Sequence, residues 1–80
     1  MRTTRYFEDS RRRRGRIIIL DAWIRRVIVH PEALEIQTDG RIRVWATIAE
    51  VDRVLRVVLL EDGETVHNAF FDRSFRRGLP

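Results

Sequence analysis

The stretch "LEIQTDGRIRVWATI", residues 34 to 48, decides the architecture. From Arg41 to Ile48 the side chains alternate, with Arg41, Arg43, Trp45 and Thr47 on one side and Ile42, Val44, Ala46 and Ile48 on the other. A period of two marks a strand with one buried face. The "TDG" before it is a tight-turn signal, which makes Leu34 to Gln37 its hairpin partner. A two-residue Asp39-Gly40 loop would set Ile36 against Arg43 and Gln37 against Ile42, mixing apolar and polar residues on both faces. A three-residue Thr38-Asp39-Gly40 loop, with Gly40 left-handed in a bulge, sets Ile36 opposite Ile42, Leu34 opposite Val44 and Glu35 opposite Arg43. The buried face dictates register, so the bulged loop is expected.

Working toward the C-terminus, Val54 to Leu60 and Thr65 to Phe71 read as two more strands, joined by "EDG" at Glu61 to Gly63. The link "AEVDR" is short, and short links favour neighbours in space, so the four strands form an antiparallel meander. Val54 to Leu60 is apolar on both sides, which suits a central strand. The register of the second hairpin stays open. A three-residue loop puts Arg56 opposite Asn68 and Val57 opposite His67. A two-residue loop puts Arg56 opposite Ala69 and brings His67 to the face of Arg56.

Toward the N-terminus the period changes. Trp23, Ile24, Val27 and Ile28 form one apolar stripe at helical spacing, with Asp21 as the expected N-cap and Pro31 as the stop. Thr3 to Arg14 reads as a first, weaker helix, capped by Thr3 or Thr4 and ended at Gly15. Glu8 would face Arg12 and Asp9 would face Arg13 along it. The expected fold is therefore α+β, with one or two N-terminal helices packed on a four-stranded antiparallel meander sheet. The chain is one domain spanning residues 1–80, with a basic helical arm at 1–15 and a basic tail at 73–80.

Composition narrows the function classes. A chain of 80 residues buries only about 60% of its unfolded surface, so the core must be small. There are no cysteines, which rules out disulfides, thiolate metal sites and cysteine nucleophiles. With only two histidines, His30 and His67, neither a metal nor a cofactor is expected. Apolar runs stop at four residues (17–20 and 57–60), far short of a membrane helix or a secretory signal. A soluble, cytoplasmic protein is the expectation.

Charge is segregated. Residues 1–26 hold nine arginines against three acids, residues 27–72 four against nine, and residues 73–80 three against none. Basic ends of this kind attract phosphate backbones or an acidic protein partner. All sixteen basic residues are arginine, a total that codon bias in the source genome explains most simply.

"DGRIRVW" at Asp39 to Trp45 and "LRVVLLEDGETVHNAFFDRSFR" at Leu55 to Arg76 resemble a family of short, uncharacterised bacterial proteins. More distantly, helices followed by an antiparallel sheet resemble the BrnT and RelE toxins, compact basic ribonucleases of toxin–antitoxin pairs. The resemblance implies an RNA-binding protein, an endoribonuclease working without metal among its activities, and an acidic antitoxin-like partner. Such cleavage needs a base for the 2′-hydroxyl proton, cations for the phosphate and an aromatic for the base. His67, Arg56 and Arg73 are the candidates for catalysis, with Trp45 or Tyr6 for stacking. Arg11, Arg12, Arg13, Arg14, Arg43, Trp45, Arg76 and Arg77 are the candidates for nucleic-acid binding.

Each candidate has a plainer reading. His67 can be a strand residue that holds a neighbour, Phe70, Phe71 and Phe75 can complete the core, and Glu61, Asp62 and Glu64 can be a solvated turn rather than a metal site. The alternative function is a non-catalytic interaction or homodimerisation module, since Leu34 to Gln37 or Thr65 to Phe71 would be a free sheet edge.

Overall fold

The computed structural model describes residues 1–13 and 18–75. Two helices, α1 (Arg5–Arg13) and α2 (Asp21–Val29), precede four strands: β1 (Ala33–Ile36), β2 (Ile42–Ile48), β3 (Arg53–Leu59) and β4 (Val66–Phe71). The strands form one antiparallel sheet in the order β1-β2-β3-β4. Both helices lie on the same face of it. Phe7, Ile24 and Val27 meet Val44, Ala46, Ile48, Leu55, Val57, Leu59, Val66 and Ala69 in a single core. No helix among the described residues is long and apolar enough to cross a membrane.

The first hairpin has the expected register. Leu34 pairs with Val44, Glu35 with Arg43 and Ile36 with Ile42, and Gly40 has φ +89°. That left-handed conformation is costly for a residue with a Cβ. The link from β2 to β3 is equally tight: Ile48 pairs with Arg53, and Asp52 takes φ +50° to close the turn. Aspartate tolerates this conformation because its short side chain can bond locally.

The second hairpin starts in the register of the two-residue alternative, with Leu59 opposite Val66. Beyond a bulge it matches neither expectation, because Arg56 stands opposite Phe70. Leu60 donates to the Thr65 carbonyl at 2.9 Å, which leaves a four-residue loop. Leu59 then pairs with Val66 but Val58 with Asn68, so His67 is the extra residue of a β-bulge. The reason is the composition of "VHNAFF". Strict alternation cannot put Val66, Ala69 and Phe71 on one face, and an inserted residue between Val66 and Asn68 can. Val66 and Ala69 are accordingly buried while Asn68 and Phe70 turn to the outer face.

The helix ends also depart from expectation. Residues 2–4 are extended, not helical: Val66 donates to the Arg2 carbonyl and Thr4 donates to the Val66 carbonyl, a parallel bridge along the outer edge of β4. Helix α1 starts only after Thr4, whose Oγ1 accepts from the Phe7 amide at 3.1 Å, an N-cap bond. Glu8 pairs with Arg11 at 3.7 Å rather than with Arg12. The expected stop at Gly15 lies outside the described residues.

Asp21 is not the N-cap of α2. Leu20 occupies that position, where its aliphatic side chain makes no cap bond, and the Asp21 carboxylate accepts from Arg11 at 2.7 Å. Asp21 still sits in the first turn, where a negative charge favours the helix dipole. At the far end Arg26 grips Glu50 through two bonds of 2.8 and 2.9 Å, tying α2 to the β2–β3 turn. The Arg26 guanidinium pulls the Glu50 carboxyl down to about 2.

Phe7 is the one residue of α1 that is buried, so the attachment of this helix rests on it. Phe7→Ala should cost about 3–5 kcal/mol of stability. Thr4→Ala, which removes the cap, should cost about 1 kcal/mol. Urea denaturation at neutral pH measures both, and equal costs would contradict this account.

Candidate functional site

Among the described residues no helix lies over the outer face of the sheet, yet Trp45, Val54 and Val58 are buried there. They are covered from within the sheet and by the segment after β4. Trp45, Arg56 and Phe70 stand in one cross-strand row. The Arg56 guanidinium lies 4.9 Å from the Phe70 ring centroid and 5.7 Å from that of Trp45. Phe75 folds back and stacks on Trp45, with centroids 5.3 Å apart and planes at 20°.

Asp72 holds this arrangement together. Its Oδ2 accepts from Trp45 Nε1 at 3.0 Å and faces Arg56 at 3.7 Å. Its Oδ1 accepts from the backbone amide and hydroxyl of Ser74 at 2.9 and 2.6 Å. Burial is the largest influence on this carboxyl and would raise its pKa. The bonds from Ser74 and Trp45, with the charge of Arg56, outweigh burial and leave the pKa below the ordinary range. Arg56 Nε is shielded from solvent with no hydrogen-bond partner. Such an omission costs about 1–3 kcal/mol, and the two ring faces offset part of it.

Beside this cluster, where β3 begins and β4 ends, a cleft of about 250 Å³ opens between Asp52, Arg53, Val54, Phe71, Asp72, Arg73 and Phe75. The Arg53 guanidinium lies over the Phe71 ring at 5.6 Å. Arg73 is exposed at the rim. Two cations and two phenyl rings thus converge on one small opening, and the two carboxylates in its lining balance the charge.

His67 lies elsewhere. The bulge turns its ring against the N-terminal segment, where it stacks on Tyr6 with centroids 4.8 Å apart and its Nδ1 sits 3.1 Å from Thr4 Oγ1. Because the Thr4 oxygen already accepts from Phe7, its hydroxyl proton is available to Nδ1, which a neutral imidazole can accept. Burial, and then the positive charge of Arg41, lower the His67 pKa. His67 and Phe71 are four residues apart along one strand, about 13 Å. The structure therefore brings Arg56 and Arg73 to one end of β4 and places His67 near the other.

The nucleic-acid candidates divide in the same way. Arg12 and Arg13 are exposed on α1. Arg11 is held by Asp21, Glu8 and the Ile19 carbonyl. Arg43 donates to Glu35 at 3.1 Å, and Gln37, with its amide oxygen turned to the guanidinium, accepts from Arg43 Nε at 2.9 Å. Trp45 is only 9% exposed, so its ring offers no free platform. Arg14, Arg76 and Arg77 lie outside the described residues. In the acidic hairpin, Asp62 accepts from the Thr65 hydroxyl and the amides of Thr65 and Glu64, which pull its carboxyl down to about 2. That carboxylate closes the turn.

Sequence reasoning missed Arg53, Phe71 and Asp72 as neighbours of Arg73. The legible signal was "DRS" at Asp72 to Ser74, since aspartate two residues before a serine at a strand end is a common local turn.

The pKa directions carry a stability consequence. His67 binds its proton less readily folded than unfolded, so acidification favours the unfolded chain. Stability should be level above pH ~7, decline as pH falls below the free imidazole value of about 6.5, and decline further below pH ~4 as Asp72, Asp62 and Glu50 are protonated. His67→Phe, which keeps a ring against Tyr6, should remove the first decline and leave the second. Thermal melts from pH 8 to 3 resolve the two; an unchanged profile in the variant would contradict the assignment.

Comparison with known proteins finds no matching family model, no matching curated protein and no matching solved structure.

Proposed function

We propose that the chain binds single-stranded RNA, with the cleft beside Asp72 as the seat of one base. The observation that carries this reading is the convergence of Phe71, Phe75, Arg53 and Arg73 on that cleft. Single-stranded nucleic acids are held by aromatic faces that stack on bases and by cations that follow the backbone. At about 250 Å³ the opening suits one ring system, below the usual range for a whole small-molecule ligand. The lining is balanced in charge, so stacking supplies local affinity while the net charge of +4 and the exposed Arg12 and Arg13 attract the polyanion. The likeness to BrnT and RelE toxins points to the same ligand class.

Strand cleavage is not part of the proposal. The carboxylates at the cleft are Asp52 and Asp72, and Asp72 is committed to Trp45, Ser74 and Arg56. His67, the candidate base, stands at the Tyr6 edge.

Fluorescence anisotropy with a labelled ten-nucleotide RNA tests the reading. Affinity should fall as salt rises, and Phe75→Ala or Arg73→Ala should weaken binding by roughly tenfold or more. His67→Ala should bind as the parent does. No binding at low salt would end the proposal. RNA cleavage abolished by His67→Ala would move the site to the Tyr6 edge.

A further inference from the structure

The sheet has two edges, and they are treated differently. Along β4, residues 2–4 pair with Val66 and occupy part of the edge. Along β1 no described residue does so. The ladder shows which backbone groups β1 leaves over. Gln37 donates to the Arg41 carbonyl at 2.8 Å, and bonded pairs alternate along an antiparallel ladder. Glu35 therefore faces inward to Arg43, and the amides and carbonyls of Leu34 and Ile36 point out of the sheet edge.

The same two residues carry exposed aliphatic side chains. Leu34 is 58% and Ile36 68% exposed, although both lie on the face that carries the partly buried Ile42, the buried Val44 and the helices. Helix α2 packs over β2 and β3, so the apolar face runs on past its cover. Val29, which ends that helix, is a further 66% exposed. A free edge with outward aliphatics and no lysine, proline or bulge is what soluble proteins ordinarily avoid.

We infer that β1 pairs with β1 of a second copy, antiparallel about a two-fold axis through Glu35, to make one eight-stranded sheet. The occupant is a second copy because the edge complements itself. Leu34 of one copy falls opposite Ile36 of the other, twice, and the four outward amides meet the four outward carbonyls. A two-fold axis normal to the sheet keeps both helix layers on one face. The four aliphatic side chains then lie together in the trough between those layers. Glu35 meets its twin on the opposite face, where Arg43 of each copy already neutralises it at 3.1 Å. This inference does not depend on the RNA reading.

The absence of cysteine gives a direct test. Residues on the axis form a pair without mutual hydrogen bonds, with Cα atoms about 4.5 Å apart, within the range a disulfide spans. Glu35→Cys should give a covalent dimer on mild oxidation, and Val51→Cys, in the β2–β3 turn, should not. The parent chain should sediment as a concentration-dependent dimer. Leu34→Lys with Ile36→Lys should weaken dimerisation by roughly tenfold or more while keeping the parent circular dichroism, since both side chains are exposed. The inference fails if the parent is monomeric at every concentration, if the lysine pair dimerises undiminished, or if the Glu35→Cys variant crosslinks no faster than the Val51→Cys variant. A monomer whose edge accepts an added strand peptide also overturns it.

Discussion

The demand that Val66, Ala69 and Phe71 share one face organises much of this small protein. An unbroken strand cannot meet it with the sequence "VHNAFF", so the strand bulges at His67. Val66 can then pair with Leu59 inside the core, and its own backbone groups turn outward to receive residues 2–4. The displaced imidazole lands on Tyr6 and Thr4, the same threonine that caps α1. One inserted residue thus completes the core and docks the first helix. Downstream it shifts the register so that Phe70, not Asn68 or Ala69, stands opposite Arg56.

The sheet is closed by different means on its two faces. The inner face carries the fully buried Ile48, Leu55, Val57 and Val66 and is covered by helices, of which α2 contributes the equally buried Ile24 and Val27. On the outer face, among the described residues, side chains and a short return of chain exclude water. Trp45, Arg56, Phe70 and Phe75 do this by stacking, and Asp72 accepts from the Trp45 N–H and faces the Arg56 charge. A single carboxylate therefore supports a tryptophan N–H, a guanidinium and a turn at once. Losing it would leave Trp45 and Arg56 without partners in a largely dry site, which is costlier than losing a surface ion pair.

Much of the fold was legible because its signals are local. Alternation from Arg41 to Ile48, the "TDG" turn and the stripe from Trp23 to Ile28 each lie within a few residues, and the first hairpin followed from them. The second hairpin was not, because both sides of Val54 to Leu60 are apolar and the deciding residue, His67, has no pattern of its own. The bulge is visible only when β3 and β4 are considered with the helix that must cover them. Thr4 was legible as a cap, but the pairing of residues 2–4 with Val66 is a contact across more than sixty residues. The site divided along the same line. Arg56 and Arg73 were recognised as cations, whereas their association with Asp72, Arg53 and Phe71 depends on the end of one strand meeting the start of another.

The arginines show how far composition can be taken. Codon bias can explain why all sixteen basic residues are arginine, but it does not explain how single positions use the group. Arg26 holds Glu50 with two parallel bonds, a fork that an ammonium cannot reproduce. Arg56 lies between two aromatic rings with Asp72 at one end. A flat, weakly hydrated cation fills that position, and a lysine there would bring a strongly hydrated point charge into the same dry space. Arg12, Arg13 and Arg73, exposed on the surface, meet no such demand. Arg26 and Arg56 therefore belong to the frame of the protein, whereas Arg12, Arg13 and Arg73 are left at its surface.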